Sequence, residues 1–347
     1  MMDISAGKLW GMRRLADPSG RFKMVAVDQR PPIINALASR NGGTRPGRDE
    51  VGMVKRHLVE ALGPLGSAVL IDPDYGLPLS FDALPPEKGL LLTLEDFAVE
   101  EGPGGRRTRV LPGWSVGRIK RAGADGVKLL LWYRPDADPD VIAHQKALVR
   151  AVGEACVQMD IVFLLELLVF PFAASAGIAN DYVEDKTRRP ELVLRSLEDF
   201  ADPVYAIDIY KLESPIPASA LPDPDGPGAP AAQQWFDRLD KVIDRPWVML
   251  SAGAGMDAFR RVLTYAYRAG AHGYLAGRAI WWEAFAGWPD AAAMDRRLRS
   301  EGAAYMSEIN ALTDASAKPW TRARCFVAPP TLAGRGAFPV GYGDISD

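Results

Sequence analysis

Several short apolar runs in this chain end on, or carry, charged side chains, and buried amines and carboxylates are the groups that perform carbonyl and proton chemistry. Lys211 closes one such run. Desolvation and a neighbouring cation both favour the free amine of a lysine in that setting, which makes Lys211 the candidate nucleophile toward a carbonyl carbon. Lys128 lies within a second run, where its charge would act on Lys211 and hold a substrate oxygen. Glu166 follows Ile161, Val162, Phe163, Leu164 and Leu165. An unpaired carboxylate there is costly, so Glu166 must be paired or protonated, and it is the candidate general acid/base. Asp28 ends the first run and is placed to orient substrate hydroxyls or share the proton transfer. Glu213, two residues beyond Lys211, is a weaker candidate on the same face. Asp208 alternates away from Lys211 and is expected to form a structural pair in the helix layer.

Two later segments have the composition of anion sites. Ser251, Gly253 and Gly255 follow one apolar run, and Gly277 and Arg278 follow the next, ahead of an apparent short helix at 280–287. Glycines allow a backbone to approach a phosphate closely, and a guanidinium can grip it with two donors. Gln29 and Arg30, after the first run, are placed to hold an anionic group at the opposite end of a substrate. The expected substrate is therefore charged at both ends.

Metal chemistry fits poorly. His57, His144 and His272 are the only histidines and form neither an HxH nor an HExxH pattern. A carboxylate magnesium site built from Asp28, Asp72 and Asp74 is the metal-dependent alternative. Cys156 and Cys325 lie outside any CxxC spacing, which argues against a disulfide framework. Residues 1–14 lack the layout of a secretion signal, and no apolar run is long enough to span a bilayer, so a cytoplasmic location is expected. A net charge of −3 gives no basic field for nucleic acid. The expected partner is a small phosphorylated sugar, with neither nucleic acid nor membrane involved and homo-oligomer formation left open.

Such groups need a frame that brings strand ends together. Eight apolar runs, at 23–28, 67–72, 89–94, 125–132, 160–166, 205–211, 247–251 and 273–277, alternate with amphipathic stretches at 51–62, 115–122, 138–159, 190–200, 230–243 and 256–269. That alternation is expected of parallel βα units, and eight of them over this length predict an α/β fold of the (β/α)8 TIM-barrel type, with working groups at the C-terminal strand ends. A doubly wound open sheet is the runner-up, weakened because no glycine-rich dinucleotide fingerprint follows the first run. One domain over 1–347 is expected, with connections at 39–50 and 100–113, a proline-rich loop at 214–233 overhanging the active face, and a tail after about 320.

The motifs VDQR at 27–30, DPDYGLP at 72–78, WS at 114–115, IKRAGAD at 119–125, VK at 127–128, LE at 165–166, YKLE at 210–213, LSAG at 250–253 and GRA at 277–279 span most of the chain. On them it resembles the class I tagatose-1,6-bisphosphate aldolases, together with the related sulfofructose-1-phosphate aldolases. The resemblance implies a metal-independent lyase with Lys211 as Schiff-base lysine, Glu166 in proton transfer, Asp28 and Lys128 as partners, and Ser251, Gly253 and Arg278 on the phosphate of dihydroxyacetone phosphate. No cofactor beyond the covalent lysine adduct is implied. Two departures touch substrate identity: Leu167 to Phe170 lacks the tyrosine of the family pattern, and the loop at 214–233 is longer and richer in proline. The aldehyde product is glyceraldehyde 3-phosphate on the first reading and sulfolactaldehyde on the second. A non-catalytic sugar-phosphate sensor is the alternative of another class.

Overall fold

Apolar runs without a polar face need cover on both sides, and a parallel sheet wrapped in helices supplies it. In the computed structural model, which describes residues 4–172, 190–326, 328, 330 and 332, eight parallel strands close into one barrel in chain order. They are β1 (Phe22–Ala26), β2 (Ala68–Ile71), β3 (Gly89–Thr93), β4 (Gly126–Trp132), β5 (Val162–Leu168), β6 (Ile209–Leu212), β7 (Trp247–Met249) and β8 (Gly273–Ala276). β8 pairs with β1 from Phe22 opposite Gly273 to Val25 opposite Ala276, so the sheet has no open edge and the doubly wound alternative is excluded.

The two-residue period of a strand divides the core into two layers. Met24, Ala26, Leu70, Leu91, Leu164, Ile209, Val248 and Leu275 fill the barrel interior. Val25, Val69, Leu92, Phe163, Tyr210 and Met249 face outward and pack beneath the helices. Inward parity continued toward the C-terminal ends reaches Asp28, Lys128, Glu166 and Lys211. Register then fixes their levels, with Glu166 directly opposite Lys211 and Leu130 opposite Glu166.

The outer helices fall close to the amphipathic stretches, including Arg48–Leu62, Pro139–Gln158, Ala229–Val242 and Met256–Ala269. The connection expected at 39–50 is shorter, spanning 41–47 between helix Pro31–Arg40 and helix Arg48–Leu62. Helix Ala6–Leu15 plugs the N-terminal mouth: Met12 and Leu15 join the interior cluster, and Gly11 abuts the Asp125 carbonyl so closely that an added Cβ would lie 2.6 Å from it. Asp208 pairs with Lys8 of this plug at 2.7 Å, so its partner sits at the barrel floor and not in the outer helix layer.

Two further expectations change. The segment at 100–113 contains a β-hairpin, Glu100–Gly102 paired antiparallel with Gly105–Arg107, inserted between β3 and β4. The loop at 214–233 does not overhang the pocket described below. It packs against helix Met256–Ala269, where Arg268 donates to the Pro224 carbonyl at 2.6 Å and to Asp225 at 2.7 Å, and Tyr265 donates to the Pro222 carbonyl at 3.3 Å.

Candidate active site

Strand ends converge on a pocket of about 870 Å3, counted out to its open mouth, at the C-terminal face of the barrel. Lys128, Glu166 and Lys211 form its floor. Glu166 Oε2 lies 2.8 Å from Lys128 Nζ and 3.0 Å from Lys211 Nζ, so one carboxylate oxygen bridges the two lysine nitrogens. All three are at least 94% buried, which strengthens their interaction relative to water. The cost of burying Glu166 is thus met by pairing.

Lys128 is the hub. Its Nζ also meets Asp28 Oδ2 at 2.9 Å and Glu95 Oε1 at 2.8 Å, giving one cation three carboxylate partners. Burial pushes its ammonium toward the neutral form, but Asp28, Glu166 and Glu95 outweigh that and hold it above the ordinary lysine range. The balance favours the charged form of Lys128. Asp28 is likewise opposed by burial, yet the charges of Lys128, Lys211 and Arg30 keep its carboxyl below the usual range. Its second oxygen, Oδ1, is buried without a hydrogen-bond partner among the described residues, a spare acceptor in the pocket wall.

Glu95 lies one residue past the third apolar run, which ends at Leu94, and so is not among the sequence candidates. It shares inward parity with Leu91 and Thr93, and that parity was the available signal. It ties three strands together by accepting from Lys128, from Arg30 Nη2 at 3.0 Å and from the Leu130 amide at 3.0 Å. Arg30 is drawn inward by this carboxylate. Its Nη1 donates to the Glu95 carbonyl at 3.1 Å and to Thr93 Oγ1 at 3.3 Å, leaving the residue 4% exposed. Gln29 lines the pocket beside it, with a buried Oε1 that has no partner among the described residues.

The loops after β7 and β8 form the opposite wall. Ser251, Ala252, Gly253 and Arg278 all line the pocket. Ala252 and Gly253 take left-handed backbone angles, φ +51° and +80°, an arrangement that costs energy at alanine. Gly253 has a second reason to lack a side chain, since a Cβ there would come within 3.1 Å of the Arg278 guanidinium carbon. Arg278 opens helix Arg278–Phe285, whose N-terminal end favours an anion. Gly277 is not among the lining residues. A Cβ at that position would lie 2.3 Å from the Ala26 carbonyl, so Gly277 lets the two strand ends approach.

The other candidates fall into structural roles. Glu213 accepts from the Val169 amide at 2.7 Å. Asp72 is fully buried against Lys55, 2.5 Å away, a lysine of helix Arg48–Leu62 that also donates to the Val27 carbonyl. Asp72 additionally accepts from the Tyr75 amide at 2.7 Å, and Asp74 lies partly exposed beyond that turn. Two of the three carboxylates of the magnesium alternative are thus held by ammonium groups, Asp28 by Lys128 and Asp72 by Lys55. Among the described residues no three His, Cys, Asp or Glu side chains gather as metal ligands. No described helix is long and apolar enough to cross a membrane.

Comparison with known proteins places these residues in a wider setting. The profile of the DeoC/LacD family of aldolases matches residues 23–283. Tagatose 1,6-diphosphate aldolase 2 of Enterococcus faecalis is 30% identical over 329 residues, covering 92% of this chain and 97% of that protein. The tagatose 1,6-diphosphate aldolase of Lactococcus lactis subsp. lactis is 31% identical over 329 residues, covering 92% and 99%. Among solved structures, a Schiff-base-forming fructose-1,6-bisphosphate aldolase superposes with a TM-score of 0.53 at 14% identity, over 88% of this chain and 99% of that one. The fructose-bisphosphate aldolase of Plasmodium falciparum gives 0.63 at 13% identity, over 91% and 98%. At such identities the structural likeness speaks for the shared barrel fold.

Proposed function

The chain belongs to the DeoC/LacD family of aldolases, and on that footing we propose that it cleaves a phosphorylated ketose, such as tagatose 1,6-bisphosphate, through a Schiff base on Lys211. The products are dihydroxyacetone phosphate and an aldehyde, glyceraldehyde 3-phosphate for that substrate. The observation that carries the reading is the buried contact of 3.0 Å between Lys211 Nζ and Glu166 Oε2, beside a second lysine that remains charged.

Lys211 passes a proton to Glu166 and attacks the ketose C2 carbonyl. Glu166 returns that proton to the carbinolamine oxygen, water leaves, and the iminium withdraws electrons from the adjoining C3–C4 bond. A carboxylate then takes the C4 hydroxyl proton as that bond breaks. Asp28 Oδ1, which has no hydrogen-bond partner among the described residues, orients this hydroxyl while Glu166 exchanges the proton. The aldehyde departs, the enamine of dihydroxyacetone phosphate is reprotonated, and hydrolysis frees Lys211. Lys128 holds Glu166 and Asp28 in place and stabilises oxyanions as they form. Ser251, the Gly253 backbone and Arg278 hold the C1 phosphate, with Gln29 facing the sugar.

The chemistry so written requires no metal. Its substrate is a small phosphorylated sugar, and a cytoplasmic setting is part of the reading, in keeping with two free, buried cysteines. Exchanging Lys211 for methionine tests the role of the amine. The variant is expected to lose turnover while binding inorganic phosphate as tightly as the parent protein, and retained turnover would refute it.

A further inference from the structure

The pocket extends beyond the lysine pair to a wall that the steps above leave unused. In an eight-stranded ring β3 and β4 stand across from β7 and β8, so the hairpin between β3 and β4 faces the Ser251 and Arg278 loops over the barrel mouth. Phe97, Val99 and Arg106 of this excursion line the pocket together with Trp132 and Leu168. Arg106 is the cation of that wall. Its guanidinium lies 4.8 Å from the Trp132 ring centroid and 4.7 Å from that of Phe170, two rings that meet edge to face. Its Nε donates to Glu101 Oε1 at 3.1 Å, while neither Nη has a hydrogen-bond partner among the described residues.

The backbone that carries Arg106 is fixed by one buried side chain. Gln145, 1% exposed, donates to the Arg106 carbonyl at 3.0 Å and to the Trp132 carbonyl at 2.7 Å, and accepts from the Thr108 amide at 3.1 Å. That amide group fastens the hairpin to β4. A guanidinium held against two aromatic rings in a pocket wall is preorganised for a tetrahedral oxyanion. Arg30, which also lines the pocket, has both Nη atoms committed to Glu95 and Thr93.

We propose that Arg106 binds the oxyanion at the far end of the ketose, on C6, and thereby sets the preference for a doubly charged substrate. The proposal rests on the aldolase reading above. Its place in that reading is specificity: Arg106 anchors substrate without taking part in bond cleavage.

The test compares wild type, Arg106→Gln and Arg106→Lys on tagatose 1,6-bisphosphate, tagatose 1-phosphate and a 6-sulfonate analogue of the 1-phosphate. Borohydride trapping with dihydroxyacetone phosphate, which lacks the far end, serves as the control for an intact Schiff-base site. Wild type is expected to favour a substrate with a C6 oxyanion, and whichever of phosphate and sulfonate is better identifies the anion. Arg106→Gln should raise KM for that substrate about 10- to 100-fold, with kcat, the 1-phosphate reaction and trapping unchanged, and Arg106→Lys should recover part of the loss. A wild type indifferent to the C6 group, an unchanged KM in Arg106→Gln, or an equal loss on all three substrates would overturn the assignment. A wild type that traps no adduct would instead bring down the Schiff-base reading itself, and the assignment with it.

Discussion

Replacing Lys128 with methionine keeps most of the stem's volume and removes the charge that Asp28, Glu95 and Glu166 share at 2.9, 2.8 and 2.8 Å. Three carboxylates would then crowd a space where Lys211 and Arg30 are the remaining cations. Removing one partner of a buried pair costs about 3–5 kcal/mol, a large part of the roughly 5–15 kcal/mol that stabilises a typical domain. The sign with pH follows from linkage. The folded-state value of Lys128 lies above its unfolded value, so its stabilisation is complete below the ordinary lysine range and fades only as pH rises through the higher folded value. In the variant the folded carboxylates hold protons more tightly than unfolded ones, so its stability falls as pH rises. Urea unfolding of both proteins at about pH 5 and about pH 8 reads this directly. The deficit should be several kcal/mol at the higher pH and clearly smaller at the lower. A deficit under about 0.5 kcal/mol at both would show Lys128 to be a solvated charge, and a large deficit independent of pH would show that packing, not charge, is lost.

Other perturbations separate the remaining parts. Glu166→Gln should lower kcat by about 10²- to 10⁴-fold with little change in KM, as expected of a proton-transfer group; steady-state rates that match wild type would remove Glu166 from the mechanism. Gly253→Ala places a Cβ against the Arg278 guanidinium at a backbone angle of +80°, so it should raise the half-saturating concentration of dihydroxyacetone phosphate in borohydride trapping. An unchanged titration would take the loop out of phosphate binding. His272 is buried beneath β7 and β8, and burial lowers its value to about 4 from the ordinary 6.5. Its contribution is present above the ordinary value and is lost as pH falls through that window, about 3 kcal/mol in all. His272→Asn should flatten the acid limb of stability between about pH 6.5 and about pH 4, and an unaltered slope would assign that limb to other groups.

The barrel was legible because a strand covered on both faces must be apolar throughout, and each of the eight runs from 23–28 to 273–277 marks a real strand. β6 shows where that signal fails. The apolar residues from Tyr205 read as strand, yet Asp202 caps a turn over Pro203–Tyr205 and Ala206 is left-handed, so pairing begins only at Ile209. Composition cannot distinguish a buried turn from a buried strand. Helix Ala6–Leu15 was hidden for the opposite reason. Gly7 and Gly11, poor helix residues, are there to let its backbone touch the barrel floor.

Within the site, Asp28, Lys128, Glu166 and Lys211 could be found because each ends or punctuates an apolar run with inward parity. Glu95 obeys the same rule one step past the assigned end of its strand. Arg106 obeys no such rule. It sits in a polar, glycine-rich hairpin without alternation, and its position comes from Gln145 and two aromatic rings supplied by distant segments. Arg30 was found as a pocket residue, but its inward turn depended on Glu95, a partner that had not been identified.

The central claim is that the Lys211 amine forms the covalent bond, and peptide mapping after borohydride reduction in the presence of dihydroxyacetone phosphate and EDTA tests it most directly. A ligand-dependent adduct on Lys211, absent from Lys211→Met, is the expected result. No adduct under conditions where the ligand is shown to bind, or an adduct carried by Lys128, would contradict the assignment.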